Sequence, residues 1–127
     1  SMAFWIFMLF SNSLIPFIMI LFGMIFVKKP PKYINRWYGY RTSMSSKNME
    51  TWNFAHLYFG RIWLVEGWIL LLATIVAMLF VLKKDIDTIG FYSLVIEIIE
   101  LILMLIPIIL TEIALHKRFT KDGIQRY

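Results

Sequence analysis

Three long apolar stretches dominate the chain, and most charged residues fall between them. Residues 3–27 contain no Asp, Glu, Lys or Arg, and a helix needs only about 20 such residues to cross the hydrocarbon core of a bilayer. The stretch is too long for the apolar core of a signal peptide and has no basic residues before it, so it reads as a retained span. Lys28-Lys29-Pro30-Pro31 ends it, because ammonium groups favour headgroups and paired prolines cannot continue a helix. A second stretch covers residues 62–82, interrupted by Glu66 and closed by Lys83-Lys84-Asp85. A third covers 89–115 and is closed by His116-Lys117-Arg118. Between Ser45 and Arg61 the pattern is also helical, with Glu50 suited to the first turn and Trp52, His56, Phe59 and Trp63 along one side. The pattern predicts an all-α membrane protein, one membrane domain over residues 1–127. Its three transmembrane helices span about 3–27, 62–82 and 89–115, and a loop with an interfacial helix over 28–61 joins the first two.

The third stretch carries Glu97, Glu100 and Glu112, so its insertion is decided by magnitude. Acidic residues near a helix centre cost about 2.5 to 3.5 kcal/mol each, while Leu, Ile, Val and Phe return about 0.3 to 0.6 each. Seventeen of the latter lie between Ile89 and Leu115, returning about 5 to 10 kcal/mol against about 5 to 7 for Glu97 and Glu100. Glu112 sits near the interface and weighs less. The span holds with little margin.

Composition removes the soluble alternative. The 127 residues are 60% hydrophobic and 17% aromatic with a mean hydropathy of +0.71, more apolar surface than a soluble domain of this size can cover. Cysteine is absent, which excludes disulfides and thiolate metal sites. The net charge of +5 follows membrane topology and not a nucleic-acid footprint. Residues 28–47 hold six Lys and Arg and residues 117–126 hold four, against two in the turn after the second span and none before the first. The positive-inside rule then puts the long loop and C-terminus in the cytoplasm and the N-terminus outside, with membrane lipid as the first partner and no direct nucleic-acid binding.

Helical geometry sorts the polar residues. At 100° per residue, Ser93, Glu97, Glu100, Met104, Pro107 and Thr111 fall within a stripe about 80° wide on the third helix. Trp52, His56, Gly60, Trp63, Gly67 and Thr74 align on the second, a close-packing face, and Trp5, Asn12, Pro16, Met19 and Gly23 align on the first. Counting 1.5 Å per residue brings Asn12, Thr74, Glu97 and Glu100 to one mid-membrane polar layer. Arg61, Glu66, Glu112 and His116 form a second cluster at the inner boundary. Two carboxylates one turn apart could hold a proton or cation, or could be satisfied by Asn12 and Thr74 and merely fix helix register. Glu112 and His116 share the i, i+4 spacing of metal ligands, but no third ligand or HExxH motif accompanies them, so no metal or other cofactor is expected.

The most specific stretch is Asn35-Arg36-Trp37-Tyr38-Gly39-Tyr40-Arg41-Thr42, followed by Trp52, Ala55, His56 and Gly60. Gly39 between tyrosines suits a turn with positive φ. Arg41 is expected to pair with Glu66, Glu112 or a lipid phosphate. No nucleophile with a base, phosphate-cradling glycine run or acidic dyad is present, so no catalytic residue is assigned and the chain reads as a non-enzyme.

Here the sequence resembles the SdpI family of small bacterial membrane proteins. The pattern is close to N-x-x-Y/F-G-x-R-T, a short spacer, then W-x-x-A-x-x-x-x-G, met by Asn35, Tyr38, Gly39, Arg41, Thr42, Trp52, Ala55 and Gly60. The resemblance implies a bacterial cytoplasmic membrane protein for immunity or signalling. The family's namesake protects a bacterium from its own secreted killing peptide and holds a transcriptional repressor at the membrane. A toxin peptide and a repressor are therefore the implied partners. The rival reading is a small proton- or cation-conducting bundle built on the Glu97 and Glu100 layer, for which three helices would have to form a homo-oligomer to enclose a path.

Overall fold

A computed structural model describes all residues 1–127 and contains three helices, α1 (Met2–Lys28), α2 (Met49–Phe80) and α3 (Ile86–Arg118). All three are long and apolar enough to cross a membrane. α1 and α3 run past both ends of their apolar stretches, while α2 begins well before its stretch and ends at Phe80, short of Leu82; a helix can continue into the interface for as long as its backbone groups stay paired. The helical pattern between Ser45 and Arg61 runs on into the second span as one helix, α2, which begins at Met49 and not near Ser45. The start is fixed by a capping box in which the Asn48 carboxamide accepts from Thr51 N at 3.0 Å and Thr51 Oγ1 accepts from Asn48 N at 3.1 Å. Between α2 and α3 the chain turns through Lys83 at φ +70°, and the Asp85 carboxylate accepts from Thr88 Oγ1 at 2.5 Å.

Two ends can be distinguished. The turn end holds the N-terminus and the α2–α3 turn. The loop end holds residues 29–48 and the C-terminal tail. α1 and α2 pack most extensively because glycines let their backbones meet. A Cβ on Gly23 would stand 2.7 Å from Leu64 N and 2.9 Å from the Gly60 carbonyl oxygen, and one on Gly60 would stand 2.8 Å from Phe26 Cβ. At the turn end Met78, Val81 and Ile89 form a small core, and the Trp5 indole N–H donates to the Met78 carbonyl at 2.8 Å. At the loop end Tyr40 and Met44 from the loop join Phe26, Ala55, Phe59, Leu115 and Phe119 in the larger core.

Only 28 residues are buried, and the stripes the rotation arithmetic selects supply many of them: Asn12, Pro16, Met19 and Gly23 in α1, Trp52, His56, Gly60, Gly67 and Thr74 in α2, Ser93, Glu100, Pro107 and Thr111 in α3; Trp5, Trp63, Glu97 and Met104 on the same stripes are half-buried. The outward faces carry exposed Phe, Leu, Ile and Val along all three helices, an apolar belt that needs lipid around it. The C-terminal tail folds back. Phe119 and Gln125 form an isolated antiparallel bridge, and the Asn48 carboxamide N–H donates to the Gly123 carbonyl at 2.8 Å, which docks the tail on the start of α2.

Candidate functional site

The loop has no regular secondary structure, so its backbone groups need individual partners. Asn35 supplies the first. Its Oδ1 accepts from Trp37 N at 2.9 Å and Tyr38 N at 2.8 Å, and its Nδ2 donates to the Tyr33 carbonyl at 2.9 Å, closing a turn. The Trp52 indole N–H reaches back to the Pro31 carbonyl at 2.9 Å. Gly39 follows at φ +114° with His56 directly beneath it, and a Cβ there would stand 2.6 Å from His56 Nε2. That nitrogen accepts the backbone N–H of Tyr40 at 2.9 Å. Since Nε2 accepts, the ring proton is on Nδ1, which faces the Trp52 carbonyl at 2.7 Å. His56 thus clasps loop to helix through both nitrogens, edge-on to the Phe26 ring.

Beyond Gly39 the loop crosses to α3. Tyr40 Oη donates to a Glu112 carboxylate oxygen at 2.5 Å, and Thr42 Oγ1 donates to the same oxygen at 2.9 Å. Burial and the neighbouring Glu112 carboxylate both push the Tyr40 phenol well above its ordinary range. Ser45 closes the segment, accepting from Thr42 N at 2.9 Å and donating to the Tyr40 carbonyl at 3.0 Å, while Thr51 Oγ1 donates to the Ser45 carbonyl at 3.0 Å. The result is a cap on one end of the bundle, hydrogen-bonded to α2 and α3.

Arg41 pairs with neither Glu66 nor Glu112. It lies exposed, and its guanidinium donates to the Arg36 carbonyl, not to a carboxylate. The place on Glu112 is taken by Tyr40 and Thr42. The inner-boundary cluster also divides. Glu112 joins the loop, and exposed His116 directs Nδ1 to the Glu112 backbone carbonyl one turn back at 2.8 Å. Arg61 and Glu66 line a separate outer recess on α2, with one buried Glu66 oxygen lacking a hydrogen-bond partner. No group of three His, Cys, Asp or Glu side chains converges to hold a metal ion.

Within the bundle the polar layer resolves into two rungs. Asn12 Nδ2 donates to Ser93 Oγ at 3.0 Å, and Thr74 Oγ1 donates to Glu100 Oε2 at 2.8 Å. Ser93 and Glu100 are seven residues apart, about 10 Å along the helix, so Asn12 and Thr74 serve different partners. Glu97 sits between them, half-buried. Asn12 Oδ1 and Glu100 Oε1 remain buried and unpartnered. Sequence reasoning missed the parts played by Tyr40, Ser45 and Ser93, of which Ser93 was visible on the α3 stripe.

These features define a multi-pass α-helical membrane protein whose loop is a packed cap on one end of the bundle. The chain matches the SdpI/YfhL protein family over residues 32–111 and belongs to that family. The match takes in the cap, α2 and α3 to Thr111; α1 lies outside it, as does Glu112 by one residue. No curated protein and no solved structure matches the chain.

Proposed function

We propose that this protein is a non-enzymatic immunity protein of a bacterial cytoplasmic membrane that protects the cell against a secreted killing peptide. Its N-terminus lies outside and its loop and tail face the cytoplasm. The observation that carries this reading is family membership over residues 32–111, whose motif residues Asn35, Gly39 and Thr42 are spent on building the cap. The ten basic residues of the loop and tail support the orientation. A repressor held at the cytoplasmic face would meet the cap and docked tail.

The test is deletion and overexpression in the native host, followed by challenge with supernatant from sibling cultures. Deletion should sensitise the cell and overexpression should protect it; equal survival in all three strains would end the immunity reading. A second reading, proton or cation conduction, is favoured by one observation, the buried Glu100 oxygen without a partner. Ion flux in liposomes separates the two.

A further inference from the structure

We propose that the cleft beneath the loop is a binding site for one anionic phospholipid, with an acyl chain between the helices and its phosphate on Arg41. The proposal goes beyond the immunity reading and stands or falls without it.

The cleft has a volume of 410 Å³, within the range of about 300 to 1,000 Å³ for small-molecule sites. All three helices line it: Ile18 and Phe22 from α1, Trp63 from α2 and Ile108 from α3, with Arg41 and Thr42 at its loop end. From Ile18 to the buried Phe26, also in the lining, is eight residues, so the cleft follows α1 for about 12 Å. Ile18 is exposed on the apolar outer belt, so an acyl chain can enter sideways from the bilayer.

One end is apolar and the other cationic, the polarity of a lipid. The Arg41 charge is free for an outside anion because no carboxylate of the chain takes it. Its one internal hydrogen bond is to the Arg36 carbonyl, and Glu112 accepts from Tyr40 and Thr42 instead. A guanidinium offers five donors in a planar fork, so phosphate fits the remainder. Depth agrees, since Trp37 and Tyr33 on the same loop are 90% and 77% exposed and such rings favour the headgroup level.

The experiment measures lipid retention by native mass spectrometry on purified full-length protein, offered phosphatidylglycerol or phosphatidylcholine with identical chains. Phosphatidylglycerol should be retained about fivefold better, the worth of one well-placed basic residue near an anionic headgroup. Arg41→Gln should remove that preference. Ile18→Trp, a change on a lipid-facing position that leaves the cap intact, should reduce retention of both lipids by obstructing the cleft. Lys121→Gln removes an exposed cation of the tail and should change nothing. Equal effects of Arg41→Gln and Lys121→Gln would overturn the proposal by showing diffuse charge attraction. Equal retention of the two lipids by the unaltered protein would overturn it too, as would unchanged retention in Ile18→Trp. So would glycerol phosphate without chains competing as well as the whole lipid. If Arg41→Gln fails to fold, Ile18→Trp and the lipid pair still decide.

Discussion

His56 Nε2 accepts the backbone N–H of Tyr40 at 2.9 Å, and the missing Cβ of Gly39 is what makes room for the ring. A Cβ at Gly39 would meet the same nitrogen at 2.6 Å, at a backbone φ of +114° that L side chains rarely adopt. Gly39→Ala should therefore lower stability by more than about 1 kcal/mol, from left-handed strain alone. His56→Ala should cost about 1 to 3 kcal/mol by stranding the Tyr40 N–H. The double variant should lose less than the sum, because without the imidazole the clash is gone. Melting temperatures of the four proteins in detergent check this, and strict additivity would mean that the ring and the glycine do not share the space.

Tyr40 gives the cap a response to alkali. Its phenol is held neutral beyond its ordinary range by burial and by Glu112. A raised folded-state pKa means that its stabilisation is complete below about pH 10 and declines as pH rises past that value, by at most about 1.4 kcal/mol per pH unit. Tyr40→Phe keeps the ring and removes the donor to Glu112, so at pH 7 it should be less stable by about 1.5 to 3 kcal/mol, the range for a hydrogen bond to a charged group. By pH 11 the gap to the unaltered protein should narrow. Chemical denaturation at the two pH values measures it, and a constant gap would mean that Tyr40 does not titrate with folding.

Glycines in the helices divide into two kinds. A Cβ at Gly60 would stand 2.8 Å from Phe26 Cβ and 3.1 Å from the Gly23 carbonyl oxygen, so a methyl group there meets atoms that rotamer changes cannot move. Gly60→Ala should destabilise by about 1 to 3 kcal/mol, the usual effect of overpacking. Gly90 has nothing within 4 Å of its would-be Cβ, and Gly90→Ala should be neutral or stabilise by up to about 1 kcal/mol through helix propensity. Thermal melts of this pair use one change of chemistry with opposite expected signs.

The helices and their inward stripes were legible in the sequence because they need only a hydrophobic run and a rotation of 100° per residue. Tyr40 and Glu112, 72 residues apart, could not be joined by any such local rule. Arg41 takes neither carboxylate offered to it, for a reason that alternation along the chain explains. Tyr40 and Thr42 both reach Glu112, and where alternate side chains share a side Arg41 between them is directed away from that carboxylate. Attraction of opposite charges had suggested the partner that alternation denies. Glu97 is a milder case, since it lies at the edge of the α3 stripe while Glu100 lies near its centre. Depth counting placed four polar residues in one layer, but the helices pair Asn12 with Ser93 and Thr74 with Glu100.

Glu100 tests whether the inner rung is structure or function. Its carboxylate is 1% exposed, one oxygen accepts from Thr74 at 2.8 Å, and the other has no partner. Glutamine at this position keeps an acceptor for Thr74 and removes the expense of a buried charge, so Glu100→Gln should melt at or slightly above the temperature of the unaltered protein. Leucine removes the acceptor, but Thr74 can turn its hydroxyl to the Leu70 carbonyl one turn back in its own helix. Glu100→Leu should then cost only about 0.6 kcal/mol and at most about 1.7, the span measured for side-chain hydrogen bonds inside membranes. Thr74→Val removes the same bond from the other side and should match it, unless the stranded carboxylate adds its own penalty. If Glu100 instead carries protons, Glu100→Gln will fold normally and yet abolish proton flux in liposomes, because an amide has no proton to release in the working range. Flux and melting temperature measured together on these three variants decide. Unchanged flux with mild melting shifts makes the Thr74–Glu100 rung a packing device, and lost flux at unchanged melting makes it the working part of the bundle.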